Sequence, residues 1–187
     1  MKSPARILFS TRLLLIALML VSSANAQEVS LQNTTTPSSK AMKMDHAHLP
    51  IAVPSEVLTP ALSLALTKDA MSGYNLTLKT ARYSLTPPPQ GQTMAQMMAV
   101  ALNETTGFVA GHAHLYINGI KIQRIYGHNV HLPSKLFKAG INNISVTLNN
   151  HGHLYWTAID KKILATLYVN EAQTPFISYE FASFPVD

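Results

Sequence analysis

The chain contains no cysteine. That excludes a disulfide framework, a lipid-bearing N-terminal cysteine, zinc–cysteine sites, redox dithiols and blue-copper centres, all of which need a thiol or thiolate. Acidic residues are sparse as well, nine Asp and Glu against fourteen Lys and Arg. The basic excess shrinks once the charges are located. Lys2, Arg6 and Arg12 fall in the first 26 residues, which hold no acid, so eleven basic residues face nine acidic ones in the remaining 161, a net of +2. So small a charge makes no electrostatic case for nucleic acid or acidic lipid. Long apolar runs are missing too. The best, Leu13 to Val21, is far shorter than the ~20 residues that a bilayer span needs. Catalytic signatures are equally scarce. No Ser-His-Asp spacing can be read, and no carboxylate pair suits glycoside chemistry. The acid that a cupin requires after its H-x-H is absent between Leu115 and Gln123. The chain is read as a non-enzyme.

The first 26 residues have the order of an export signal: basic residues, an apolar core, then the small-x-small run Ala24-Asn25-Ala26. Cleavage is expected before Gln27, with the mature protein periplasmic or secreted and without a membrane span. Residues 27–54 read as a flexible leader, Thr/Ser-rich and without apolar period. Residues 55–187 are expected to form a single domain, long enough to bury a core without staples.

Strand patterning dominates that domain. Leu62, Leu64 and Leu66 alternate, with Pro60 pointing to a sheet edge, and Leu76 and Leu78 alternate against Thr77 and Lys79. One short helix is expected within 92–102, where Met94, Met97, Met98 and Leu102 share a face; the stripe reads as core packing rather than as ligands. Asn118-Gly119 is the strongest hairpin signal in the chain. A two-residue turn there pairs Ile117 with Ile120, Leu115 with Ile122 and His114 with Gln123. This register puts His112, His114, Tyr116, Lys121 and Gln123 on one face and the aliphatic residues on the other. Ile144, Val146 and Leu148 alternate inward, and "KILATLYVN" and "PFISYEFASF" supply closing strands. The pattern predicts an all-β fold, an antiparallel β-sandwich.

All eight histidines come as close pairs: His46/His48, His112/His114, His128/His131 and His151/His153. Three of the pairs are H-x-H, a spacing that puts both rings on one face of a strand. Four pairs and no unpaired histidine point to metal. Neutral imidazole suits copper, zinc and nickel, with Cu(II) favoured by the affinity order, and scarce nearby acids argue against calcium, magnesium or a facial-triad iron site. In the leader, Met42 and Met44 interleave with His46 and His48, a thioether–imidazole set that accepts Cu(I). Copper is expected ahead of zinc. The bland alternative places the histidines on a solvated strand face.

"SGYNLTLKT", "GHAHLYINGIKIQRIYGHNVHLP" and "GINNISVTLNNHGH" together resemble a family of small exported bacterial β-domains of unassigned function. Its pattern is G-H-A-H-L-Y-x-N-G, R-x-Y-G, H-L-P and V-T-L-N-x-x-x-H, matched over roughly residues 60–170. The resemblance implies an immunoglobulin-like sandwich in the periplasm or outside the cell. It makes His112, His114, His131 and His153 the motif histidines and leaves His128 and His151 as extras. It carries no established activity, so function rests on the site. The expectation is a copper-binding protein that sequesters the ion or hands it to a periplasmic partner protein. Its ligands are His112, His114, His131 and His153, with Met42, Met44, His46, His48, His128 and His151 as accessory residues, and binding should weaken below about pH 6. The second reading is a β-sandwich interaction module of the cell envelope.

Overall fold

The computed structural model describes residues 49–187. Twelve strands and one short α-helix follow in chain order, with a 3-10 turn at Ser134–Leu136 between β7 and β8: β1 Pro50–Ala52, β2 Ala61–Lys68, β3 Tyr74–Ala81, β4 Tyr83–Leu85, α1 Met94–Met98, β5 Val109–Ile117, β6 Ile120–Ile125, β7 Asn129–Leu132, β8 Asn142–Asn149, β9 Tyr155–Ala158, β10 Lys161–Lys162, β11 Leu164–Val169 and β12 Ile177–Ala182. The all-β expectation holds. β1 lies inside the stretch read as leader: its apolar Ile51 gives it a place beside β9, which it pairs in parallel.

Two sheets share one hydrophobic core. The smaller has the antiparallel order β2-β3-β7; the larger has nine strands, with β8 between β5 and β11 and with β5 also paired to β4 and β6. The predicted alternations all point into the shared core. Leu62, Leu64, Leu66, Leu76 and Leu78 enter it from the smaller sheet, and Ile144, Val146 and Leu148 from β8. β2 has one sheet neighbour, the edge position that Pro60 implied.

The Asn118-Gly119 turn forms as expected, with φ of +52° and +80°, the positive values that only Gly and Asn or Asp adopt cheaply. The register beyond it differs from the expectation. A β-bulge between Leu115 and Tyr116 shifts the ladder, so Leu115 faces Gln123 and His114 faces Arg124. A bulge sets two residues of one strand against one of its partner. It therefore exchanges Gln123 for Arg124 as the neighbour of His114.

β5 and β8 lie in close contact at the start of β5. A Cβ on Gly111 would lie 2.0 Å from the carbonyl oxygen of Asn149 and 2.7 Å from the Tyr83 hydroxyl. That hydroxyl, in the buried interior, donates to the carbonyls of Asn149 at 2.8 Å and His112 at 3.0 Å. Burial pushes its pKa well above the ordinary phenol value, which keeps it a donor.

Gly111→Ala is expected to destabilise the fold by about 2–3 kcal/mol, because backbone rather than a flexible side chain occupies the space. Urea denaturation measures it, and a loss below about 0.5 kcal/mol, the range of ordinary surface changes, would show that the strands can part at this point.

Candidate metal centre

β5 carries His112 and His114 two residues apart, so both rings leave the same face of the strand. Across the ladder they oppose Asn149 and Thr147 of β8. The other face of β5, with Ala113, Leu115 and Ile117, belongs to the hydrophobic core. The histidine face is buried too: His112 is 1% exposed and His114 0%. A solvated strand face is therefore not what these residues form.

The turn between β8 and β9 closes over that face. Asn149 and Asn150 shape it. The Asn149 amide donates to the His153 carbonyl at 3.0 Å, and its oxygen accepts from Thr147 Oγ1 at 2.7 Å. Asn150 Oδ1 accepts the Leu154 N–H at 2.9 Å, and its amide reaches back to the Met98 carbonyl of α1 at 2.9 Å. Gly152 lies against Met98, where a Cβ would stand 2.7 Å from the Met98 Cα. Held this way, His153 has φ of +72°, left-handed backbone that a non-glycine residue adopts at a cost of roughly 1–2 kcal/mol.

Three imidazoles meet as a result. His114 Nε2 lies 2.9 Å from His112 Nε2 and 3.0 Å from His153 Nδ1, and Lys121 Nζ is 3.2 Å from the same atom. The ring centroids of the three are 4.8 to 5.2 Å apart. One imidazole nitrogen offers either one lone pair or one N–H. It cannot serve three nitrogen partners as hydrogen bonds, and no Asp or Glu belongs to the group to share the protons. The Nδ1 atoms of His112 and His114 are buried without a hydrogen-bond partner. Ligand nitrogens held 2.0–2.1 Å from a tetrahedral ion stand about 3.3 Å from one another. The group His112, His114 and His153, with its ligand atoms all within 4.8 Å of one another, is thus able to hold a metal ion.

The electrostatics keep His112 and His114 neutral. Burial first, then the charges of His153, Arg124, His151 and Lys121, push the His112 pKa down to about 3. Burial, followed by Lys121, His112, His153 and Arg124, pushes His114 down to about 2. Both therefore offer lone pairs well below pH 6, and the expected weakening of binding near that pH does not apply to them. An ordinary histidine titrates near 6.5; these two have been moved by desolvation and by neighbouring cations.

Not all the expected residues converge. His131 is on β7, paired with β3 in the smaller sheet, where its Nδ1 is 3.3 Å from Asn75 Oδ1 and 3.9 Å from Asp69 Oδ2. His128 also leaves with that crossover and lies 3.1 Å from the Leu78 carbonyl. The hairpin did bring the chain back toward the start of β5. After Ile125, however, it passes to the other sheet, because Val130 and Leu132 find core contacts there. His151 is buried beside the group, its ring 6.4 Å from that of His112, and burial lowers its pKa. Met42, Met44, His46 and His48 lie outside the described residues. The methionine stripe is not core, since α1 has no buried residue and Met94 is 60% exposed; a single turn and a half is too short to bury a face.

Tyr83 and Asn150 escaped the sequence reading, and Arg124 and Asn149 entered it only as letters of the R-x-Y-G and V-T-L-N motifs, with no role. Asn-Asn directly ahead of His-Gly-His was the available signal for a side-chain-locked turn. The bulge that brings Arg124 to His114 and the remote Tyr83 left no comparable mark. No family model matches the chain, and no match was found among curated proteins or solved structures.

Two outcomes follow for the metal-free protein. The unfolded chain takes up protons at His112 and His114 near pH 6.5, whereas the folded chain resists until about pH 3 and about pH 2. Stability therefore falls as pH drops through that window, by up to about 1.4 kcal/mol per pH unit for each ring. In urea titrations between pH 7 and pH 4, His112→Leu with His114→Leu is expected to flatten the slope; equal slopes for variant and wild type would refute the shift. His153→Gly relieves the left-handed backbone and is expected to leave the metal-free protein as stable as wild type, or up to about 1 kcal/mol more so. A clear loss of stability would mean that the ring supports the fold rather than a ligand.

Proposed function

We propose that this chain is an exported, periplasmic metal-binding protein that sequesters or delivers copper through His112, His114 and His153. The observation that carries the reading is the convergence of three imidazole nitrogens on a buried point, in a group that among the described residues contains no acid. Without an ion, such a group costs free energy, because His114 Nε2 faces three nitrogens and can hydrogen-bond with only one of them at a time. With one, three neutral lone pairs gain a common acceptor. Imidazole-only ligation suits copper first and zinc second. Three protein ligands leave a coordination position open, as sites that exchange or present their ion require.

The rest of the reading belongs with that site. The N-terminal pattern of basic, apolar and small residues supports export, and among the described residues no helix is long and apolar enough to cross a membrane. Two sheets around one core suit the immunoglobulin-like arrangement that the family likeness implies. His131 leaves the ligand set, and Met42, Met44, His46 and His48 remain as an accessory copper-capturing segment. The interaction-module reading took the histidines as solvated or hydrogen-bonded face residues, and the burial of His112 and His114 removes the solvated form of it.

Calorimetry tests this directly. The protein is expected to bind Cu(II), and more weakly Zn(II), at one ion per chain. Binding is lost in His112→Ala with His114→Ala and in His153→Gly, and persists in His128→Ala with His131→Ala. No uptake by wild type, or uptake abolished only by the second pair, would sink the proposal.

A further inference from the structure

The methionines of α1 are not placed by packing, yet their backbone is pinned. Met94, Met97 and Met98 stand at i, i+3 and i+4, on one helix face, with neighbouring Cβ atoms about 5–6 Å apart. No residue of α1 is buried; Met94 is 60% exposed, and Met97 and Met98 are half-buried. Five residues are too few for a helix to persist by itself. Two sets of hydrogen bonds hold this one. At its start Thr93 and Gln96 form a capping box: the Thr93 N–H donates to Gln96 Oε1 at 2.8 Å, and the Gln96 N–H to Thr93 Oγ1 at 3.3 Å. At its end the Asn150 amide donates to the carbonyls of Met98 at 2.9 Å and Ala99 at 3.3 Å.

The bond from Asn150 ties the methionines to the His151-Gly152-His153 turn. Side-chain contact reinforces it: a Cβ on Gly152 would stand 2.7 Å from Met98 Cγ, the carbon that carries the sulfur. His151, next to that glycine, is 5% exposed, and its Nδ1 is buried without a hydrogen-bond partner. This histidine stands outside the group formed by His112, His114 and His153. A face of three thioethers and an unused imidazole nitrogen therefore adjoin the same glycine. A thioether is only a weak hydrogen-bond acceptor, so hydrogen bonding does not explain the juxtaposition. Thioether sulfur is a soft ligand, and soft ligands select Cu(I).

We propose that α1 and His151 form a second, soft metal site, which takes up Cu(I) through the thioethers of Met94, Met97 and Met98 and through His151 Nδ1. The inference takes its metal from the copper reading above and adds the reduced ion to it. Methionine side chains are unbranched and adaptable, so three on one pinned face can close around an ion while the backbone stays in place. The two sites divide the oxidation states. Imidazoles alone suit Cu(II), and thioethers with one imidazole suit Cu(I). Both sites share the turn between β8 and β9, His153 serving one and His151 the other. Copper supplied in either state finds a matched ligand set, and no electron transfer within the protein is required.

The test follows the methionine methyl NMR signals of the full chain during titration with Cu(I), kept reduced by ascorbate under nitrogen. Met71, 93% exposed between β2 and β3, is the internal control. The methyls of Met94, Met97 and Met98 are expected to shift together and to saturate ahead of Met71. They respond equally in His112→Ala with His114→Ala, because that pair belongs to the other centre. Met94→Leu with Met97→Leu keeps the side-chain volume and is expected to weaken Cu(I) uptake at the Met98 methyl by at least about tenfold, the low end for changes that touch only the surroundings of a ligand. His151→Ala weakens it likewise. Cu(II) affinity, read by calorimetry, stays unmoved in the leucine variant. An unchanged Met98 midpoint in both variants would overturn the inference. So would α1 methyls that shift no earlier than Met71, that stay silent while Met42 and Met44 move, or that stop responding without His112 and His114. The two readings fail separately. Responding α1 methyls in a protein that takes up no Cu(II) support the soft site and put the fault in the three-histidine reading, whereas silent α1 methyls in a protein that binds Cu(II) overturn the soft site alone.

Discussion

The hydroxyl of Tyr83 donates to the carbonyls of His112 and Asn149 at the point where β5 presses on β8. Much of the rest depends on that clamp. It requires Gly111, because any side chain there would collide with the Asn149 carbonyl and the hydroxyl itself. It also holds together the two backbone positions from which the site grows, since one carbonyl belongs to a candidate ligand and the other to the residue that opens the β8–β9 turn. A tightly paired strand end in the interior gives rings at His112 and His114 a fixed origin. Asn149 and Asn150 then carry that rigidity through the turn to His153.

β5 is buried on both faces, which is unusual chemistry for a strand with two histidines. Its aliphatic face contributes to the core, as hydrophobic burial demands. On its histidine face the Nδ1 atoms of His112 and His114 are enclosed without the hydrogen-bond partners that buried polar groups normally have. Desolvation and nearby cations hold these rings neutral. The backbone of His153 adds a further local cost through its positive φ. Three nitrogens crowded on His114 Nε2, suppressed protonation and a strained turn all disfavour the isolated fold at one place. Such a concentration of costs is what a binding site shows when its ligand supplies the compensation.

The charges at the rim belong to the same logic. Lys121 and Arg124 depress the basicity of the imidazoles and thereby keep their lone pairs available at low pH. A bare three-histidine site would accept several late transition metals in the order of their affinities.

What the amino-acid sequence determined by itself was the set of local rules. Period-two alternation located the strands that build the two sheets, Asn118-Gly119 located the hairpin through its need for positive φ, and H-x-H put His112 and His114 on one strand face. These are short-range properties, governed by backbone sterics and by the two-residue repeat of a strand. Tertiary structure decided which distant pieces met. His131 belonged to a close pair like the others, yet its strand joined β3 in the other sheet, where Leu132 and Val130 pack into the core. The bulge that exchanged Gln123 for Arg124, the turn that brought His153 over β5 and the Tyr83 clamp were likewise beyond local reading. Each depends on which surfaces are buried against one another over dozens of intervening residues, and burial is a property of the whole packed chain rather than of any segment.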